Sequence, residues 1–380
     1  MKTAIVHEWL TVPGGADLVV RIIHEIFPSA PIFALVYDPD RMPDIFKTMD
    51  IRTSFVQKMP FARTRYRAYL PLYPLAVEQF DLSGFDLIIS SSHCCAHGAI
   101  RRAEAHHVCY CHTPIRYAWD QYHAYMQSLG KLSRIVAAPI LSMMRQWDYA
   151  AAQRVDTFVA NSNAVRRRIG KHYGRKARVI FPPVDTDSFK PVPVDEVQDY
   201  FFIMSRHVRY KKVDLAVRAF NMLGLPLWVA GDGPETARLK KIAGPYIRFL
   251  GRVTDDDARG LMARCRAFIF PQDEDFGITP VEAQAAGRPV IAYARGGALD
   301  TVIDRLSGLF FNEQTPQALA DAVAGFHPEQ FDPRAIRQHA QQFAIAEFKR
   351  KFEQLVRDSW REHRNGSRAE PAAAMIESIS

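Results

Sequence analysis

Three short stretches of this sequence carry side chains suited to chemistry on a phosphorylated ligand. Ser205-Arg206-His207-Val208-Arg209-Tyr210-Lys211-Lys212 sets two cations, Arg206 and Lys211, on one loop. Fixed cations neutralise the charge that grows on a departing diphosphate. Glu274-Asp275-Phe276-Gly277-Ile278-Thr279-Pro280-Val281-Glu282 sets two carboxylates eight residues apart. A carboxylate accepts hydrogen bonds from sugar hydroxyls, and free N–H groups over Phe276, Gly277, Ile278 and Thr279 can hold phosphate. The same stretch also spells a helix start, with Thr279 as N-cap, Pro280 as first helical residue and Glu282 completing a capping box. Glu282 therefore has two readings, ligand carboxylate or cap of its own helix. Capping does not explain Glu274, the acidic run before it or Gly277. The third stretch, Pro13-Gly14-Gly15-Ala16-Asp17, precedes Leu18, Val19, Ile22, Ile23, Ile26 and Phe27 at helical spacing. Gly14 and Gly15 let the backbone approach a ligand, and the helix N-terminus offers N–H groups to an anion. A tight turn is the simpler alternative.

Such loops need strand ends to stand on. Short β-branched runs alternate with helical patterns, which predicts parallel α/β construction. Strands are expected at Thr3–His7, Pro31–Val36, Asp86–Ser90, Val108–Cys111, Thr157–Ala160 and Arg178–Phe181 in the first half. In the second half they are expected at Tyr200–Ser205, Leu227–Ala230, Ile247–Leu250, Ala267–Pro271, Pro289–Tyr293 and Gly308–Phe310. Each set suits one doubly wound sheet. Between them, residues 182–193 hold four prolines, which cannot sit in a central strand or a helix interior and read as a linker. The expected division is 1–185, 186–345, a C-terminal helix over 346–363 and a disordered tail over 364–380. A ligand is expected where the carboxyl ends of two such sheets meet.

The 380 residues carry a formal charge of +8, which favours an anionic partner. The opening Met1-Lys2 leads into an apolar strand pattern rather than a leader, and the longest apolar helical stretch, Ile135–Met144, is too short to span a bilayer. Five cysteines, an odd number, suggest reduced thiols. The expectation is a cytoplasmic protein, at most peripheral on the inner face of the cytoplasmic membrane.

These motifs, with Gly231-Asp232-Gly233-Pro234 after the second strand of the second half and Val184-Asp185-Thr186-Asp187-Ser188-Phe189 in the linker, resemble the family 4 retaining glycosyltransferases of GT-B fold. The likeness covers about residues 1–360. Glu274 and Glu282 match the family's E-x7-E motif, Arg206 and Lys211 its Arg/Lys pair, and Gly14 and Gly15 its N-terminal glycine loop. The resemblance implies two Rossmann-like domains facing a central cleft: an acceptor-binding first domain, and a nucleotide-sugar-binding second. It also implies a C-terminal helix crossing back to the first. It implies that Arg206 and Lys211 hold the diphosphate, Glu282 the ribose and Glu274 the donor sugar, with Gly231, Phe276, Gly277, Ile278 and Thr279 around the nucleotide. His112 takes the family's histidine position beside donor sugar and acceptor. Transfer is expected on one face of the sugar without a metal or resident cofactor, the leaving phosphate taking the acceptor's proton. Cys111-His112-Thr113-Pro114-Ile115-Arg116-Tyr117-Ala118-Trp119-Asp120 and Tyr210-Lys211-Lys212-Val213-Asp214 look most like bacterial O-antigen and exopolysaccharide mannosyltransferases, which implies GDP-mannose as donor and a polyprenyl-diphosphate-linked glycan as acceptor. A sugar-nucleotide 2-epimerase shares the architecture, but it needs an acid/base set that is not evident. Lys212 departs from the family, which usually has glycine there.

Other constellations are discounted. His93-Cys94-Cys95-Ala96-His97 and His106-His107-Val108-Cys109-Tyr110-Cys111-His112 match no closed zinc spacing, and strand residues alternate faces. Gly231-Asp232-Gly233-Pro234 lacks the third glycine of a dinucleotide fingerprint. Residues 52–73 interleave Arg52, Lys58, Arg63, Arg65 and Arg67 with aromatics and contain no acid. Single-stranded nucleic acid and an anionic bilayer both suit that pattern; the bilayer is favoured, beside a lipid-linked acceptor, and no nucleic-acid partner is expected.

Overall fold

The computed structural model describes residues 1–377, with side chains through 365. The chain divides into two compact units, Met1–Pro182 with Phe348–Ser380, and Pro183–Glu347. The first holds a wholly parallel seven-stranded sheet of order β3-β2-β1-β4-β5-β6-β7. Its strands are β1 (Thr3–Leu10), β2 (Ile32–Tyr37), β3 (Ile51–Thr53), β4 (Leu87–Ser92), β5 (His106–Cys111), β6 (Thr157–Ala160) and β7 (Ala177–Val179). The second holds a parallel six-stranded sheet of order β10-β9-β8-β11-β12-β13. These are β8 (Phe201–Met204), β9 (Leu227–Ala230), β10 (Ile247–Gly251), β11 (Phe268–Phe270), β12 (Val290–Tyr293) and β13 (Gly308–Phe311).

All twelve expected strands are present. Helices cover both faces of a parallel sheet, so central strands are buried along their whole length, as β4 and β5 are. The thirteenth, β3, was not foreseen: three residues with one aliphatic side chain give no period to read. In each sheet the strand order reverses beside the first strand, between β1 and β4 and between β8 and β11. Connections leave in opposite directions there, which opens a crevice at the strand carboxyl ends.

The last helix, Ile345–Glu377, runs past the end expected at 363. From Phe348 it groups with the first unit, because Phe348 and Phe352 bury their rings against Tyr110 at centroid distances of 5.6 and 6.1 Å. Each such ring contributes about 1.5–3 kcal/mol. Of the tail expected to be disordered, the side chains beyond 365 and all of 378–380 lie outside the described residues. No described helix is long and apolar enough to cross a membrane.

Candidate active site

In the second unit the two candidate loops leave the adjacent strands β8 and β11, at the reversal point. Lys211 donates from Nζ to Glu274 Oε1, and Gln272 Nε2 donates to the same oxygen at 3.1 Å. A lysine and a glutamate 63 positions apart are thus joined. Arg206 is exposed and makes no side-chain hydrogen bond or ion pair among the described residues. Glycines fix the spacing of the loops. Gly231, at φ +111°, packs so close to the Ser205 carbonyl that a Cβ would collide with it. Gly297 N–H donates to the Glu274 carbonyl at 2.8 Å, holding the acidic loop from behind.

The helix after that loop is Ile278–Ala285, and its N-cap is Gly277 at φ +89°. The capping box expected at Thr279 and Glu282 does not form. Glycine's tolerance of positive φ lets the chain turn two residues earlier, so Thr279 and Pro280 lie inside the first turn, where N–H groups lack intrahelical partners anyway. Phe276 turns its ring into the core against Phe343, so only its backbone is left for a ligand. Gly277 is buried, and Ile278 and Thr279 are partly exposed. Freed from capping, Glu282 is held at a pKa of about 7, raised by burial and then by Asp255 and Asp185, with Arg259 opposing. Between about pH 4.5 and 7 the folded form keeps a proton that the unfolded form has lost, so this group's contribution to stability falls as pH rises through that window. Glu282→Gln should remove that loss and raise Tm at pH 8 relative to wild type, with little change at pH 4.5; thermal melts at the two pH values check it.

Lys212 sits at φ +54°, in the left-handed region. The physical reason for a glycine here is now visible: a side chain in this conformation costs about 1 kcal/mol. Lys212→Gly should therefore stabilise the second unit by up to about 1 kcal/mol, read as a higher urea midpoint, since relief of strain exceeds the entropy glycine loses on folding.

In the first unit, Gly14 is the extended N-cap and Gly15 the first residue of the helix Gly15–Ile26. Asp17, in its first turn, faces His7 Nε2 at 3.5 Å. His112 follows the end of β5, and its Nε2 shares a 2.8 Å hydrogen bond with Ser91 Oγ. Its pKa is lowered to about 3, by burial first and then by the charges of His93 and His7, so it is a neutral imidazole at physiological pH.

Beside it lies a group that sequence reading missed. Glu8 is fully buried, and its Oε1 accepts from four consecutive backbone N–H groups, His93 to Ala96, at 2.8–3.0 Å, and from Ser92 Oγ at 3.0 Å. Its Oε2 lies 3.0 Å from His93 Nδ1 and 3.7 Å from His7 Nδ1. Burial alone would raise this carboxyl; the His93 and His7 charges and the backbone donors outweigh it and hold it well below the usual range. The side-chain atoms of His7, Glu8 and His93 that could ligate a metal ion lie within 4.8 Å of one another. The signal was a His-Glu pair inside an apolar strand, which continues to Leu10 rather than stopping at His7.

The cysteines are buried and unpaired with one another. Cys94 and Cys95 pack in the core of the first unit. In 52–73 the interleaved pattern splits: Arg63, Arg65 and Arg67 face solvent with Phe61, whereas Tyr66 and Tyr73 are buried against Trp9.

Comparison with known proteins bears on this geometry. A model described as Glycosyltransferase Family 4 matches residues 14–188, and one described as Glycosyl transferases group 1 matches residues 184–365. The chain belongs to glycosyltransferase family 4. The first match takes in Gly14 and His112, and the second takes in Arg206, Lys211, Glu274 and Glu282. Among curated proteins, a GDP-mannose-dependent alpha-(1-6)-phosphatidylinositol monomannoside mannosyltransferase of Mycobacterium tuberculosis is 32% identical over 200 residues, 45% of this chain and 51% of that one. An alpha-1,3/1,6-mannosyltransferase of Dictyostelium discoideum is 26% identical over 253 residues, 53% of this chain and 57% of that one. The chain spans about half the length of the curated relatives it matches. The solved structure of Anabaena HepE in complex with UDP superposes at a TM-score of 0.70 over 94% of this chain and all of that one, at 18% identity. The fold is therefore GT-B, an α/β architecture with two parallel sheets.

Proposed function

We propose that this family 4 protein transfers mannose from GDP-mannose, with retention and without a metal, to a lipid-linked glycan acceptor in surface polysaccharide synthesis. The observation that carries the reading is the Lys211–Glu274 pair at the β8/β11 reversal point with Arg206 unpaired on the same loop. Two cations there suit a diphosphate, and a carboxylate beside them suits the hydroxyls of the sugar it carries. In this reading Glu282 accepts from the ribose, Gly231 keeps the neighbouring turn close, and the N–H groups from Gly277 to Thr279 face phosphate. Glu282→Gln should then weaken nucleotide binding about tenfold while raising stability at pH 8.

In the first unit, neutral His112 suits a sugar hydroxyl without adding charge, and the Gly14-Gly15 loop suits close backbone approach to a ligand. As the C1–O bond to the diphosphate breaks, the bond to the acceptor oxygen forms on the same face. The acceptor's proton passes to the leaving phosphate oxygen, whose charge Arg206 and Lys211 neutralise. The names of the mycobacterial and Dictyostelium relatives support mannose, and the former supports a lipid acceptor.

The lipid acceptor gives reason for a membrane-facing surface on the first unit. Arg63, Arg65, Arg67 and Phe61 are exposed, as are Leu132, Ile135 and Val136 at the start of the helix Lys131–Gln153. Co-sedimentation with anionic vesicles reads this contact.

The test of function is a nucleotide-sugar panel assayed with a polyprenyl-diphosphate-linked glycan, with the anomeric configuration of the product read by NMR. Turnover led by GDP-mannose, an α-product and indifference to EDTA are expected. Preference for a UDP-sugar, or an inverted product, would overturn the donor or the stereochemistry.

A further inference from the structure

The first unit carries a cavity of about 770 Å³, walled by Trp119, Tyr122, Arg145, Arg168, Lys171 and His172. That volume lies within the range of small-molecule sites. Trp119 lies on the segment that follows His112 out of β5. Arg145 lies on the helix Lys131–Gln153, and Lys171 and His172 close the helix Asn163–Tyr173 that follows β6.

The charge of this lining is lopsided. Asp120 is its one carboxylate among the described residues, and it is already shared by Arg168 Nε at 3.2 Å and Arg116 Nε at 3.5 Å. Arg145 and Lys171 have no carboxylate partner among the described residues. Arg145 is fixed in the wall: Nη1 donates to the Ala118 carbonyl at 3.0 Å, and the guanidinium lies 4.9 Å over the Tyr122 ring, both lining residues. Its Nε and Nη2 have no protein partner among the described residues yet keep accessible surface, and Lys171 is exposed. Lys171 also suits the negative end of its own helix. A helix end does not account for a guanidinium clamped in mid-helix with two donors still open. Cations held around a cavity suit an anion, and the guanidinium fork suits phosphate. Trp119 and His172, stacked at 4.8 Å, add a flat apolar wall. The helix that carries Arg145 also exposes Leu132, Ile135 and Val136 in its first turns.

We propose that this cavity binds a phosphate or diphosphate ester through Arg145 and Lys171, and that its ligand is the diphosphate joining the acceptor glycan to its lipid. The site stands on the cavity and its open cations; the identity of the ligand rests on the function proposed above. Arg145 and Lys171 are separate from Arg206 and Lys211, which answer the donor's diphosphate in that reading. The exposed aliphatic turns on the helix of Arg145 favour a phosphate attached to a lipid over a free one.

The test is isothermal titration of the whole chain, without nucleotide, by geranyl diphosphate, inorganic pyrophosphate and geraniol. Geranyl diphosphate should bind, pyrophosphate should bind about tenfold more weakly for want of an apolar body, and geraniol should not bind. Lys171→Gln and Arg145→Gln should each weaken geranyl diphosphate about tenfold. Lys211→Ala should leave its Kd unchanged, which separates this site from the donor loops. Lys171 is exposed, so its variant reads the site even where Arg145→Gln, which gives up the Ala118 bond, fails to fold. No binding, binding untouched by Lys171→Gln, binding lost in Lys211→Ala, or equal binding of geraniol would overturn the site. Pyrophosphate binding as tightly as geranyl diphosphate would assign the cavity to free phosphate and overturn the lipid ligand. In transfer assays Lys171→Gln should raise KM for a lipid-linked acceptor about tenfold and leave the donor's KM unchanged. The titration needs neither donor nor turnover. A failed transfer assay beside intact probe binding would therefore overturn the function proposed above and leave the site standing. Turnover on a lipid-linked acceptor with an unchanged acceptor KM in Lys171→Gln would overturn this assignment alone.

Discussion

Glu8→Gln is expected to cost the first unit about 3–5 kcal/mol, seen as a large fall in its urea midpoint. The reason is the set of donors this one carboxylate holds. Four successive N–H groups and the Ser92 hydroxyl point at one oxygen, and two imidazoles face the other. An amide presents its oxygen to the N–H groups but turns an NH2 toward His7 and His93, and it removes the charge that five donors are arranged around. The pH dependence has a definite sign. Glu8's folded pKa is depressed, so its stabilisation is present above the ordinary carboxylate value near 4.5 and is lost as pH falls through and below it. In Glu8→Gln that acid-side loss should disappear from the melting profile of the first unit. A wild-type-like midpoint in the variant would show that the turn at 92–96 holds without the charge.

Lys211→Ala should lower kcat about 10²–10³-fold, or about 2.7–4 kcal/mol of transition-state stabilisation, by analogy with the loss of one preorganised donor. It leaves Glu274 without its cation, so the folded protein should survive: the pair lies partly open to solvent and is not a core element. Far-UV CD and the melting temperature separate loss of fold from loss of chemistry. Full turnover in the variant would place the diphosphate somewhere other than this loop.

The twelve expected strands were legible because a parallel sheet buries both faces and so favours short runs rich in apolar and β-branched residues. The Arg206–Lys211 and Glu274–Glu282 loops were legible as chemistry because their charges interrupt those runs at strand ends. What could not be read depended on contacts far apart in sequence or on backbone angle. Thr279 and Gly277 are both good places for a helix to begin, and only the positive φ at Gly277 decides between them. Glu8 falls just past the end expected for the first strand at His7. Its role exists only because β4, 84 residues later, lies beside β1 and delivers the 92–96 turn to it. Lys212 looked like an extra cation, and the left-handed angle shows it to be a side chain where none is needed.

The Lys211–Glu274 pair carries a kinetic consequence. The lysine's charge is already answered by the carboxylate, so an approaching diphosphate first meets cations not so answered, Arg206 among them. Capture on the proposed reading is then two events: a long-range encounter that salt screens, followed by an exchange of partners. In the exchange Lys211 passes from Glu274 to phosphate, and Glu274 is released to the sugar. Ionic strength should slow the first event and leave the second nearly untouched. A ligand with phosphates but no sugar would complete only half of the exchange, leaving Glu274 with nothing to hold.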